Sequence, residues 1–181
     1  MAIYQVDIKS GKLTNLLQFI ADFSQEDACL NQCVLSFDNS CIVTGGDDSV
    51  VRLFRLSKDL KELSGQAIEF KGASMAITGV DICRDNSRIV ATSKDQNAYV
   101  FDVKSKQIVD KLCFKCRLDT KNMIMRACSF RRDGCVYTLC TQARDPTFLI
   151  KWRPSGQKYQ PETTEQVHEK PSTGMRLSQN G

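Results

Sequence analysis

Asp47 and Asp48 are adjacent carboxylates directly after Gly45-Gly46. Such a pair can act as general acid and base or hold a cation, and glycines ahead of it can cradle a phosphate. Both readings lack their other half. No G-x-x-x-x-G-K-[ST] run exists, and the only histidine, His168, lies in a polar stretch that reads as a solvated loop. No nucleophile–base constellation follows, so a pocket enzyme is not expected. Cys113 and Cys116 form the only C-x-x-C, but a zinc site needs four ligands and there is no second pair at matching spacing. Most of the nine cysteines sit in apolar runs, among them Cys41, Cys83, Cys128, Cys135 and Cys140. They read as small buried hydrophobes in a reducing compartment. The formal charge of +4 is scattered, with Arg131-Arg132 the only tight basic pair. No stripe exists to neutralise many phosphates, so nucleic acid is not an expected partner. What remains for Asp47 and Asp48 is turn chemistry: aspartate side chains accept hydrogen bonds from the backbone N–H groups of a tight turn.

The turns belong to a repeat. Asp38-Asn39-Ser40-Cys41-Ile42-Val43 recurs 47 residues later as Asp85-Asn86-Ser87-Arg88-Ile89-Val90. Asp48 maps onto Asp95 and Phe54 onto Phe101. Asp133-Gly134 and Asn180-Gly181 continue the series, so repeat turns are expected near 38–40, 85–87, 133–134 and 180–181. Each unit holds short runs rich in β-branched and aromatic residues, such as Cys41 to Gly46 and Val50 to Leu56, separated by Asp/Ser turns. An apolar run precedes each pair (Cys33 to Phe37, Ile77 to Cys83, Met123 to Phe130), and a weaker one follows, as Gln107 to Phe114 does. Four short strands per repeat of ~40–45 residues is the blade of a WD-type propeller. The expected class is therefore all-β, an incomplete WD-type β-propeller of about three full blades plus two partial ones. Glycines such as Gly45 and Gly46 would let neighbouring blades approach closely.

Leu13, Leu16, Leu17 and Ile20 fall at helical intervals, but the repeat register assigns an outer strand to Leu13–Asp22. Ile3 to Ile8 matches a third strand and Thr173 to Ser178 a first strand, which places both ends of the chain inside a repeat. An open ring would leave blade faces and edges uncovered, with weak stability or self-association expected. The segment 153–171, rich in Pro, Gln, Glu and Thr, is expected to be an irregular polar segment holding a poor outer strand plus a surface loop.

The third complete unit is more specific. Arg126-Ala127-Cys128-Ser129-Phe130 is followed by Val136-Tyr137-Thr138-Leu139 and then Phe148-Leu149-Ile150-Lys151-Trp152. This order resembles the endoplasmic-reticulum exchange factors that activate the COPII-coat small GTPase, the prolactin regulatory element-binding protein family. That family has R-A-C-x-F, a strand resembling L-F-T, a variable loop and Y-L-x-K/A-W. The resemblance implies a membrane-anchored protein whose propeller lies on the cytosolic face of the endoplasmic reticulum. There it would expel GDP from its GTPase and start ER-to-Golgi vesicle formation. The family's glycine-rich, potassium-binding loop and its C-terminal membrane helix match no residues here, so no catalytic, metal or cofactor position carries over.

The resemblance leaves one propeller face as the docking surface. Loops after second and fourth strands share a rim, comprising Asp47-Asp48-Ser49, Lys94-Asp95-Gln96-Asn97, Ala143 to Pro146, Lys71 to Ser74 and Arg117 to Thr120. Asp47, Asp48, Lys71, Lys94 and Asp95 are the candidate partner-binding residues. The alternative is a WD-repeat scaffold that holds proteins together without exchange activity.

Overall fold

The computed structural model describes residues 2–6, 13–18, 29–57, 63–113, 123–141 and 146–178. Its strands are β1 (Ala2–Val6), β2 (Leu13–Gln18), β3 (Leu30–Leu35), β4 (Cys41–Gly46), β5 (Val51–Arg55), β6 (Ile68–Phe70) and β7 (Ile77–Ile82). They continue with β8 (Arg88–Ser93), β9 (Asn97–Asp102), β10 (Ile108–Cys113), β11 (Ile124–Phe130), β12 (Val136–Thr141), β13 (Thr147–Ser155) and β14 (Lys158–His168). β1 and β2 form one antiparallel pair, and the rest form three four-stranded antiparallel sheets, β3–β6, β7–β10 and β11–β14, each in chain order. These sheets are three blades with the strand content read from the repeat, and Leu13–Gln18 is a strand rather than a helix.

Turn chemistry repeats with the strands. In the turns joining first to second strands, Asp38, Asp85 and Asp133 accept hydrogen bonds from the N–H groups two residues on, Ser40, Ser87 and Cys135. The next residue in each has positive φ: Asn39 at 59°, Asn86 at 58° and Gly134 at 81°. Asn and Gly are the residues that tolerate this left-handed conformation. The residues expected as the turn at 180–181 lie outside the described residues.

Blades stack through alternating side chains. In β8 and β9, Ile89, Ala91, Tyr99 and Phe101 face the first blade and join Val43, Leu53, Phe70 and Val80 in one core. Val90, Ala98 and Val100 point the other way and pack on Val136, Ile150 and Trp152 of the third blade. A period of two thus places successive residues in two different cores. The first strands are tied around the inside of the assembly: Asn31 donates to the Ile77 carbonyl, Val80 N–H donates to Gln32 Oε1, and the Thr78 hydroxyl donates to the Met125 carbonyl.

Two expectations are corrected. The segment 153–171 is not an irregular loop: β13 runs to Ser155 and β14 from Lys158 to His168, joined at Gly156-Gln157. His168 accordingly ends a strand, where it is exposed and pairs with Thr147. β14 is an edge strand exposed from Gln160 onward, so its polar composition fits a solvated ladder rather than a loop. Glu162 bonds both Lys151 and Arg153 across the ladder, and Pro161 sits beside a register shift on the edge, where a missing N–H costs little. Thr173–Ser178, expected as a first strand, carries no regular ladder. This segment crosses the inner strands beside Asn31, Thr78 and Arg126, anchored where Thr147 Oγ1 donates to the Lys170 carbonyl and accepts from Ser172 N–H.

Candidate partner-docking rim

The rim is assembled by the turns between second and third strands and the loops that enter first strands. In the first blade, Asp48 accepts from Val50 N–H at 3.2 Å and from Arg52 Nη1 at 2.6 Å. Asp48 is only 3% exposed, and the Arg52 side chain is similarly covered. Arg52 stands opposite Glu69 in the ladder and its Nε lies 3.2 Å from that carboxylate. Glu69 then meets Lys71 Nζ at 2.9 Å. Four alternating charges lead from a buried turn to the exposed Lys71. The Lys71 ammonium, followed by Arg52, holds the Glu69 carboxyl below its usual range.

The second blade repeats the geometry with other chemistry. Asp95 accepts from Asn97 N–H at 3.2 Å and from the Tyr99 hydroxyl at 2.8 Å, and Lys111 Nζ lies 5.4 Å from the centre of the Tyr99 ring. Lys111 is the ladder partner of Tyr99, as Glu69 is of Arg52. Asp95 also accepts from Ser74 N–H and Oγ, which fastens the entering loop to the turn. Burial works to raise the Asp95 carboxyl, but the donors Ser74, Tyr99 and Asn97 outweigh it and hold it low. Burial and the neighbouring Asp95 push the Tyr99 phenol up. Both turns place a residue at positive φ, Ser49 at 61° and Gln96 at 72°.

The glycines before the first turn are packed by neighbours. A Cβ on Gly45 would strike Ile77 of the next blade and come within 2.9 Å of Val80 Cγ1, and one on Gly46 would strike the Cys29 carbonyl. Close approach of the next blade is thus the role of Gly45, and close approach of its own blade's entering loop that of Gly46.

Of the five candidates, the structure brings Asp47, Lys94 and Asp95 to one rim with the Lys71–Ser74 loop. Asp47 N–H donates to the Cys29 carbonyl and Lys94 N–H to the Ala76 carbonyl, so both turns clasp the loops that enter their own blades. Asp47, Lys71 and Lys94 are exposed and Asp95 half-buried. Asp48 is different: it faces inward and holds Arg52. Pro146 is half-buried, whereas Ala143 to Asp145 and Arg117 to Thr120 lie outside the described residues. Cys113 is exposed at the end of β10, and Cys116 lies outside the described residues. Sequence reading missed Arg52, Glu69 and Tyr99 as the second half of these turns. The signal was present, because residues four positions after each repeat aspartate are the ones that reach back to it.

No curated protein matches the chain. Residues 17–55 and 64–102 match the WD domain, G-beta repeat family. Their bounds are offset by 47 residues at both ends, the same interval that separates Asp48 from Asp95. That fold is typically a non-enzymatic platform for binding other proteins. The chain carries two WD repeats and folds as three blades and a further strand pair of a partial β-propeller.

Proposed function

We propose that this chain is the propeller segment of an endoplasmic-reticulum guanine nucleotide exchange factor for the COPII-coat small GTPase. It docks that GTPase through the rim carrying Asp47, Lys71, Lys94 and Asp95. The observation that supports the reading is the run Arg126–Phe130, Val136–Leu139 and Phe148–Trp152. These three pieces fall on the successive strands β11, β12 and β13 of one blade. Exchange needs no nucleophile or base. It needs a surface that binds the nucleotide-free GTPase more tightly than the loaded form, because binding and nucleotide affinity are coupled reciprocally. In this reading the whole protein is anchored on the cytosolic face of the endoplasmic reticulum and supports ER-to-Golgi transport. Any potassium belongs to the family's glycine-rich loop, and no residue of this sequence is assigned to it. The second reading, a general protein-interaction scaffold, is favoured by the two repeat matches, which carry no exchange signature.

The test is binding of the COPII-coat GTPase to the immobilised chain in its nucleotide-free, GDP and GTP states. Preference for the nucleotide-free form, weakened by Lys94→Glu, is the expected result. Absence of binding in all three states would leave the scaffold reading.

A further inference from the structure

At the end of the assembly opposite the rim, the turns joining first to second strands converge on a groove of about 430 Å³. Arg84, Arg131, Arg132 and Arg176 line it, one or two from each of the second and third blades and from the C-terminal segment. The carboxylate that lines it, Asp81, is 8% exposed and already accepts from Ser129 Oγ, Phe130 N–H and Ile82 N–H. Arg131 lies 3.8 Å from Asp133. Among the described residues, Arg84 and Arg132 have no ion-pair partner, whereas the Arg176 charge acts on the Asp81 carboxylate, and all three arginines are exposed. Arg84 is held in place by the Phe37 ring, with its guanidinium 3.9 Å from the ring centre. That stack joins the first blade's turn to the second's, and a guanidinium stacked through its face keeps its edge N–H donors available to a carboxylate. Phe37 is 53% exposed and Leu35 39%, which adds an apolar wall.

We propose that this groove is a second docking site, independent of the rim, for a short acidic peptide segment with an aliphatic or aromatic side chain among its carboxylates. Guanidinium groups bind carboxylates through paired N–H donors, and an apolar wall beside them selects a mixed sequence over a bare anion. A long polyanion fits less well. Asp38, Asp85 and Asp133 stand exposed on the same three turns, outside the groove lining. Asn86 and Ser40 hold Asp38 low, and the Cys83 thiol and Ser87 hold Asp85 low, so these carboxylates stay ionised and would repel phosphates running across the turns. A segment that enters the groove end-on avoids them.

The experiment is fluorescence anisotropy of a labelled hexapeptide alternating acidic residues with leucine, titrated with the full chain. Parallel titrations use the amide version of the peptide and a single-stranded oligonucleotide of equal charge. Saturable binding of the acidic peptide is expected, with the amide version weaker. Arg84→Ala and Arg132→Ala should each weaken it roughly tenfold. Arg132→Lys should fall between wild type and alanine, since it keeps the charge but loses the paired donors. Arg153→Ala, an exposed arginine on β13, should bind as wild type. Binding that ignores the Arg84 and Arg132 substitutions, or no saturable binding, would overturn the proposal. So would an oligonucleotide that binds as tightly as the peptide. None of these outcomes depends on the GTPase.

Discussion

The turn after β4 and the turn after β8 share a backbone and differ in what closes them. Asp48 and Asp95 both accept from the N–H two residues on, and both are reached by the side chain four residues on. In the first blade that side chain is a buried arginine, and its charge is passed outward to Glu69 and Lys71. In the second it is a tyrosine, and the aspartate takes its remaining donors from Ser74 and Asn97. The repeat preserves the acceptor and lets the donor vary. A neutral donor suffices where backbone and hydroxyl groups surround the carboxylate, whereas the more buried Asp48 is matched by a full charge.

Arg52→Ala should break that contrast most severely, because it removes the charge that matches the buried Asp48 carboxylate. A loss of about 3–5 kcal/mol is expected, read as a lower midpoint in denaturant unfolding. Gly45→Thr installs the residue that the second blade carries at the same repeat position, Thr92. The added atoms meet Ile77 and Val80 of the neighbouring blade, so roughly 1–3 kcal/mol should be lost in the same measurement. Tyr99→Phe keeps the ring against Phe101, 6.2 Å away, and leaves Asp95 its other donors. The cost should be about 1 kcal/mol, clearly below that of Arg52→Ala; equal losses would mean the two turns are energetically alike. Acid should weaken both blades. Asp95 and Glu69 have folded pKa values below their unfolded ones. Their contribution is therefore complete only above the unfolded carboxylate range, from about pH 5 upward, and is lost as pH falls through the folded values. Asp81 opposes this, since burial raises its carboxyl and its cost is relieved over the acid range. A melting temperature that holds steady from pH 6 to pH 3 would contradict the dominance of the lowered groups. Lys71→Ala removes an exposed partner and should cost under about 1 kcal/mol.

Much of this architecture could be read from residue pattern. The 47-residue offset of Asp38-Asn39-Ser40 was legible because Asn and Gly adopt the left-handed position more readily than other residues, so the turn marks itself. The inward runs in β4, β8 and β12 were legible because both faces are buried. β14 was not, because an edge strand exposed from Gln160 onward has no apolar alternation and its Pro161 looks like a breaker. The rim loops were placed on one side by topology alone. That Asp48 points inward while Asp47 points out was not legible, because adjacent aspartates in a turn differ only in backbone direction. The arginine groove was also hidden, since Arg84, Arg131, Arg132 and Arg176 meet only after three turns and the C-terminal segment converge.

The most direct test of the docking assignment is photo-crosslinking of the nucleotide-free GTPase to chains with a benzophenone amino acid in place of Lys94 or of Arg132. An adduct from Lys94, on the rim, with none from Arg132, at the opposite end, is the expected result. An adduct from Arg132 with none from Lys94 would contradict it.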